Sequence, residues 1–135
     1  MITFNWPVRV YYEDTDSGGV VYYANYLRFM ERARTEWLRH LGIEQDELRD
    51  RENVLFVVRR VEVDYLKPAY FNDELDVTVS LVQQGRASIT LDQTVTRQTA
   101  DVVCNGRVKI ACVDAVTLRP HALPECLLLE MMRDS

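Results

Sequence analysis

The sequence predicts an α+β fold in which one long helix lies along a single curved antiparallel sheet of about five strands. Three observations predict it. Between Ala24 and Leu41 the apolar residues Tyr26, Met30, Ala33, Trp37 and Leu41 recur at spacings of three and four, the stripe of a helix with one buried face. From Val54 onward the pattern changes to alternation with a period of two, interrupted by turn-forming residues. No internal repeat and no Gly/Ser/Pro-rich linker divides the chain, so residues 1–135 read as one domain.

Taken in order, residues 8–12 (Val-Arg-Val-Tyr-Tyr) alternate as a first strand. The outer face of the long helix is Arg28, Glu31, Arg32, Arg34, Glu36 and Arg39, with Glu31–Arg34 and Glu36–Arg39 at contact spacing. Gly42 supplies its stop. Gln45–Glu52 predicts a short polar helix, and valine-rich Val54–Asp64 a strand ended by Lys67-Pro68. Leu75, Val77, Val79 and Leu81 alternate, then Ile89, Leu91, Gln93 and Val95, with turns at Gln83–Arg86 and Gln98–Asp101. Val102–Val113 forms the last long strand. Its Asn105-Gly106 reads as a glycine that admits a close neighbour, because a hairpin there would leave only a stub of strand before it. The tail, Pro120–Ser135, is a short proline-bounded helix or an irregular segment. A helix of ~18 residues spans about 27 Å and a strand of ~10 residues about 33 Å, so lengthwise cover is geometrically reasonable.

Composition narrows the function. With 47% hydrophobic residues the chain can bury a real core, and a net charge of −5 argues against nucleic acid as the partner. A small anionic ligand held by a few arginines stays compatible. Cys104, Cys112 and Cys126 are odd in number and lack C-x-x-C spacing, as expected of reduced thiols in a cytoplasmic protein. The N-terminal Met-Ile-Thr-Phe-Asn-Trp-Pro lacks the basic and apolar regions of a signal peptide, and no apolar run approaches the ~18 residues that would predict a membrane span. His40 sits near the end of the long helix, where a partly charged imidazole favours the dipole, and His121 has no cysteine or carboxylate at ligand spacing, so no metal site is expected.

Residues 11–31 carry most of the chemical information. Carboxylates (Glu13, Asp14, Asp16), two glycines (Gly18, Gly19) and a short apolar stretch lead into the helix. A carboxylate ahead of free helix N–H groups suits acyl transfer or hydrolysis, since those donors can hold a developing negative charge. Asp16 could equally cap a turn. Glu13 and Asp14 read as turn residues, Gly18 and Gly19 as permitting positive φ with close backbone approach to a ligand, and Tyr22 and Tyr26 as core or interface aromatics or as the lining of an acyl pocket.

The run Tyr12-Glu13-Asp14-Thr15-Asp16-Ser17-Gly18-Gly19-Val20-Val21-Tyr22, joined to the helical Glu31-Arg32-Ala33-Arg34-Thr35-Glu36, resembles the hotdog-fold acyl-CoA thioesterases of the 4-hydroxybenzoyl-CoA thioesterase type. Within them it is most similar to the Tol–Pal-associated branch. The likeness extends from Trp6-Pro7-Val8-Arg9-Val10 to Arg119-Pro120-His121-Ala122-Leu123-Pro124. The resemblance implies a homodimer joined edge to edge, or a homotetramer, with sites at the dimer interface and no metal or redox cofactor. It implies that Asp16 is catalytic, attacking the thioester carbonyl or activating water. It further implies that the backbone N–H of Tyr23 polarises that carbonyl and that Tyr12 assists. Many members of the branch carry histidine where this chain has Tyr23, a departure that bears on rate, substrate and acid–base assignment.

For substrate binding the expected residues are Gly19, Tyr22, Tyr26, Arg60, Arg86 and Ser88. Arg86 and Ser88 lead by analogy with nucleotide contacts in hotdog enzymes, and Arg59, Lys67 and Arg107 are further cationic candidates for coenzyme A phosphates. The implied substrate is an acyl-CoA or acyl-carrier-protein thioester. The rival readings are a non-catalytic acyl-thioester binder with this fold and a hotdog dehydratase, which would need a histidine motif that this chain lacks.

Overall fold

The structure, a computed structural model, describes residues 3–134; Met1, Ile2 and Ser135, which belong to the terminal segments read above, lie outside them. The elements are β1 (Phe4–Arg9), α1 (Tyr23–His40), α2 (Gln45–Glu52), β2 (Val54–Tyr65), β3 (Glu74–Gln84), β4 (Ser88–Arg97), β5 (Val102–Asp114) and α3 (Glu125–Asp134). All strand pairs are antiparallel and the strand order is β1-β3-β4-β5-β2. The helix α1 packs lengthwise on the sheet against β1, β3 and β4. This is the hotdog arrangement that the sequence predicts.

The α1 stripe is buried as expected, with Phe29, Met30 and Ala33 fully enclosed. One member of the supposed solvent face is not on it. Arg34 is buried and donates from Nη1 to Gln93 Oε1 at 3.0 Å, while Gln93 Nε2 donates to the Met30 carbonyl at 3.0 Å. Helical spacing places residue 34 beside Met30 and Ala33 at the border of the buried face, where a long side chain can turn inward. Glu36 and Arg39 do pair, whereas Glu31 accepts from the Thr35 hydroxyl at 2.9 Å.

The helix ends on a Schellman motif. Gly42 adopts φ +85°, the Gly42 N–H donates to the Arg39 carbonyl at 2.9 Å, and the Ile43 N–H donates to the Leu38 carbonyl at 2.8 Å. Gly106 lies inside β5, where a Cβ would sit 3.1 Å from the Glu62 carbonyl oxygen and 3.3 Å from Met30 Cε. The close-approach reading therefore holds.

The first strand needs correction. It runs Phe4–Arg9 and not 8–12. Pro7 is tolerated because β1 is an edge. Val10 leaves the strand to pair with a loop, donating from N to the Asp73 carbonyl at 2.9 Å and accepting from the Asn72 N–H at 3.0 Å. Tyr12–Asp14 then forms a 3₁₀ turn, tied by the Asp14 carboxylate accepting the Tyr11 N–H at 2.8 Å. The tail resolves into α3, which buries Leu127 and Met131.

Candidate active site

Between the 3₁₀ turn and α1 the chain makes a tight hairpin. Asp16 N donates to the Val20 carbonyl (2.9 Å), Gly19 N donates to the Asp16 carbonyl (3.0 Å), and Thr15 bridges Val21. Gly19 takes φ +80°, the left-handed position that closes a three-residue hairpin loop. Asp16 Oδ1 accepts the Gly18 N–H at 2.8 Å, an Asx turn. The turn reading of Asp16 holds, since the carboxylate shapes the turn through one oxygen, and the same residue lines an open cleft. That cleft, of about 580 Å³, is lined by Tyr12, Glu13, Thr15, Asp16, Ser17, Gly19 and Phe71.

The helix start is fixed from below. Tyr22 N donates to the Asp14 carbonyl at 2.9 Å, and the buried side chain of Asn25 donates to the same carbonyl at 2.8 Å. Asn25 went unnoticed in the sequence, although a polar residue one helical turn before Phe29 on the buried stripe was its signal. Tyr23 opens α1, so its N–H is one of the four that a helix leaves unpaired. No acceptor among the described residues takes it.

The aromatics divide. Tyr12 is exposed on the cleft, its ring 5.6 Å from that of Phe71. Tyr22 and Tyr23 are half-exposed neighbours with ring centroids 4.8 Å apart, and Tyr23 meets Tyr65 edge-on at 5.9 Å. The Tyr22 phenol is held above its ordinary value, first by the Tyr23 phenol beside it, then by burial and by the Asp16 carboxylate. Tyr26 is in the core, with its hydroxyl accepting the Ala69 N–H at 3.1 Å, so it does not line the cleft.

Arg86, Ser88 and Arg60 stand apart from Asp16 within one chain. β3 begins at Glu74, near the Asp16 hairpin, and ends at Gln84, so the β3–β4 turn with Arg86 and Ser88 lies at the opposite end of the sheet. Arg60 lies midway along β2, next to a bulge, and pairs with Glu62 at 2.7 Å. Of the expected site residues, the cleft brings together Tyr12, Asp16 and Gly19. It adds Phe71, whose loop gave no sequence signal beyond Lys67-Pro68. Among the described residues no group of His, Cys, Asp and Glu is arranged to hold a metal ion, and no helix is long and apolar enough to cross a membrane.

Residues 10–130 match the thioesterase-like superfamily. The chain belongs to that superfamily. It is 42% identical over 127 residues to the acyl-CoA thioester hydrolase YbgC of Escherichia coli O6:H1, covering 94% of each chain. It is 44% identical over 122 residues to the acyl-CoA thioesterase YbgC of Haemophilus influenzae, covering 90% of this chain and 89% of that one. Among solved structures, a probable thioesterase from Bartonella henselae superposes with a TM-score of 0.86 at 31% identity, over 91% of this chain and all of that one.

Proposed function

We propose that this protein hydrolyses an acyl-CoA, or a related acyl thioester, to a free carboxylic acid and a thiol. The observation that carries the reading is that Asp16 faces an open cleft from a glycine hairpin, and that the helix begun seven residues later has a first N–H, that of Tyr23, left unclaimed. Membership of the thioesterase-like superfamily supports it.

Two routes satisfy the chemistry. In one, a carboxylate oxygen of Asp16 attacks the thioester carbonyl carbon, the C–S bond breaks, and thiolate leaves with its electron pair. Water then cleaves the mixed anhydride. In the other, Asp16 takes a proton from water, which attacks directly. Thiolate leaves without strong protonation, so neither route needs an imidazole. In both, the Tyr23 N–H donates to the oxyanion, a contribution of roughly 10²–10³ in rate for one well-placed donor. Tyr12 assists from the cleft wall, and Gly19 and Tyr22 stand beside the acyl group.

The same reading makes the protein a homodimer or homotetramer. The exposed edge of β2 is 12 residues long and presents Val57, Val58 and Val61 to solvent, a surface that a second copy would cover. Edge-to-edge pairing of antiparallel copies would bring one subunit's Arg86, Ser88 and Arg60 toward its partner's Asp16. It also places the protein in the cytoplasm, with acyl-CoA or acyl carrier protein as the thiol carrier and a Tol–Pal link that rests on the resemblance.

The Asx turn favours one second reading, a non-catalytic acyl-thioester binder in which Asp16 only shapes the loop. Asp16→Asn separates them, because an asparagine carbonyl keeps that turn while removing the charge. Thiol release is measured across short, medium and long acyl-CoA esters, benzoyl-CoA and hydroxybenzoyl-CoA. For the hydrolase, turnover falls by about 10³-fold or more with the melting temperature and acyl-CoA binding retained. Wild-type binding without turnover on any ester would leave the binder reading.

A further inference from the structure

We infer that Phe71 is a specificity-determining residue of the Asp16 cleft, held there by the Asp73–Arg97 ion pair, and that it favours aromatic and medium-chain acyl groups over acetyl. The inference rests on the proposal that this cleft receives the acyl thioester.

Phe71 is 49% exposed, yet it stands on a turn held by many hydrogen bonds. It lies between Tyr70 and Asp73, whose backbones close a turn as Asp73 N donates to the Tyr70 carbonyl at 3.0 Å. Asn72 takes φ +69° at the third turn position, which asparagine tolerates. The turn is tied on every side. Asp73 Oδ2 accepts the Tyr70 N–H at 2.8 Å and lies 2.7 Å from Arg97 Nε. Asp73 Oδ1 accepts from Arg97 Nη2 and from Gln98 Nε2, each at 3.2 Å. The Arg97 guanidinium also sits 5.0 Å above the Tyr70 ring.

Arg9 Nη1 donates to the Asn72 carbonyl at 2.8 Å, Tyr70 bridges Val20, and Val21 N donates to the Ala69 carbonyl at 2.9 Å. The last two bonds join this turn to the segment linking the Asp16 hairpin to α1. A loop that merely connected β2 to β3 would not need an apolar ring at its tip. Here the ring is aimed at Tyr12, 5.6 Å away and inclined by 56°, and the two rings form an apolar wall of the cleft that Asp16 also lines. A ring wall on a rigid turn rewards an acyl group long or flat enough to reach it and gives nothing to acetyl.

The test compares wild type, Phe71→Ala and Phe71→Tyr. Thiol release from acetyl-, octanoyl- and benzoyl-CoA is measured, and binding of the non-hydrolysable thioether S-octyl-CoA and of free CoA is followed by calorimetry. Phe71→Ala should lower the ratio of octanoyl or benzoyl kcat/KM to acetyl kcat/KM by about tenfold, and Phe71→Tyr should restore it. S-octyl-CoA binding should weaken relative to free CoA by a similar factor. A ratio that stays within about twofold of wild type, or an equal fall for every ester, would overturn the inference. If wild type releases no thiol but S-octyl-CoA binding still depends on Phe71, the hydrolase reading fails and the assignment of Phe71 stands. Absent or Phe71-independent binding removes the assignment itself.

Discussion

At the end of the sheet where β3 begins, the chain is held by directional polar bonds between loops, whereas at the end where β3 finishes it is held by apolar burial and a helix cap. The first end carries the Asx turn of Asp16, the Asn25 bond to the Asp14 carbonyl and the Asp73–Arg97 pair. The second gathers Ile43, Leu48, Val54, Leu123, Leu127 and Met131, closed by the Gly42 motif. The contrast reflects what each end can bury. Exposed carboxylates and half-exposed tyrosines cannot be positioned by hydrophobic contact, which is non-directional, so their placement falls to hydrogen bonds. The proposed reaction centre is specified by polar geometry, and the opposite end by apolar packing.

Removing Asp73 is the strongest way to break this contrast. Asp73→Ala leaves the Arg97 guanidinium, the Tyr70 N–H and the Gln98 amide without their shared acceptor. Asp73 is buried but Arg97 only part-buried, so the cost is that of donors left without an acceptor, about 3 kcal/mol. If the two ends divide the work as described, the same variant also lowers kcat/KM, because the Phe71 turn and the Val20–Val21 segment lose their anchor. Equal melting temperatures for variant and wild type would refute the anchoring role.

A pH series sharpens the point. Burial alone would raise the Asp73 carboxyl, but bonds from Arg97, the Tyr70 N–H and Gln98, together with the Arg97 charge, hold it below its usual 3.8. A depressed folded value means that the stabilisation is fully present above the unfolded value and is lost as pH falls through the folded one. The gap in melting temperature between wild type and Asp73→Ala should therefore be constant from neutral pH down to about 5 and narrow only below about 3.8.

Sequence legibility follows the same division. The burial-driven parts were readable, because a stripe at helical spacing and alternation at strand spacing are direct records of one buried face: Tyr26, Met30, Ala33, Trp37 and Leu41 are all buried, and Gly42 and Gly106 act as predicted. The polar framework was not, because it joins residues far apart in sequence. Nothing local links Asp73 to Arg97, or Arg34 to Gln93, and Arg34 was misplaced on the solvent face for that reason. Phe4–Arg9 was missed because an edge strand tolerates a proline that a central strand would not. The motif around Asp16 was visible; the loop that supplies Phe71 to the same cleft was not.

At the far end, Leu127→Ala tests stability without chemistry. The side chain is fully buried on α3, a ten-residue helix whose outer face is exposed at Leu129 and Met132, so it can partly collapse into the space left behind. The expected loss is about 2–3 kcal/mol, toward the low end for a core leucine. Urea denaturation should show the midpoint falling while kcat/KM, measured well below the melting temperature, stays at the wild-type value. A fall in kcat/KM out of proportion to the folded fraction would mean that the ends are coupled through α1 or the sheet.

The smallest expected effect is at the cap. Gly42→Ala places a Cβ at φ +85°, which an L-residue adopts only with strain, although nothing lies within 4 Å of that Cβ. Strain without a clash predicts a cost of about 1 kcal/mol, paid at the C-terminus of α1 and nowhere else. The residues next to it, Leu41 and Ile43, are buried, so the chain cannot relieve the strain by unwinding the cap without exposing them. The loss should therefore appear in global denaturation, with amide exchange at the Gly42 and Ile43 N–H groups tracking the global opening. Fast local exchange there, with no shift in the denaturation midpoint, would instead mean that the cap frays independently and that the apolar packing of this end begins further along the chain.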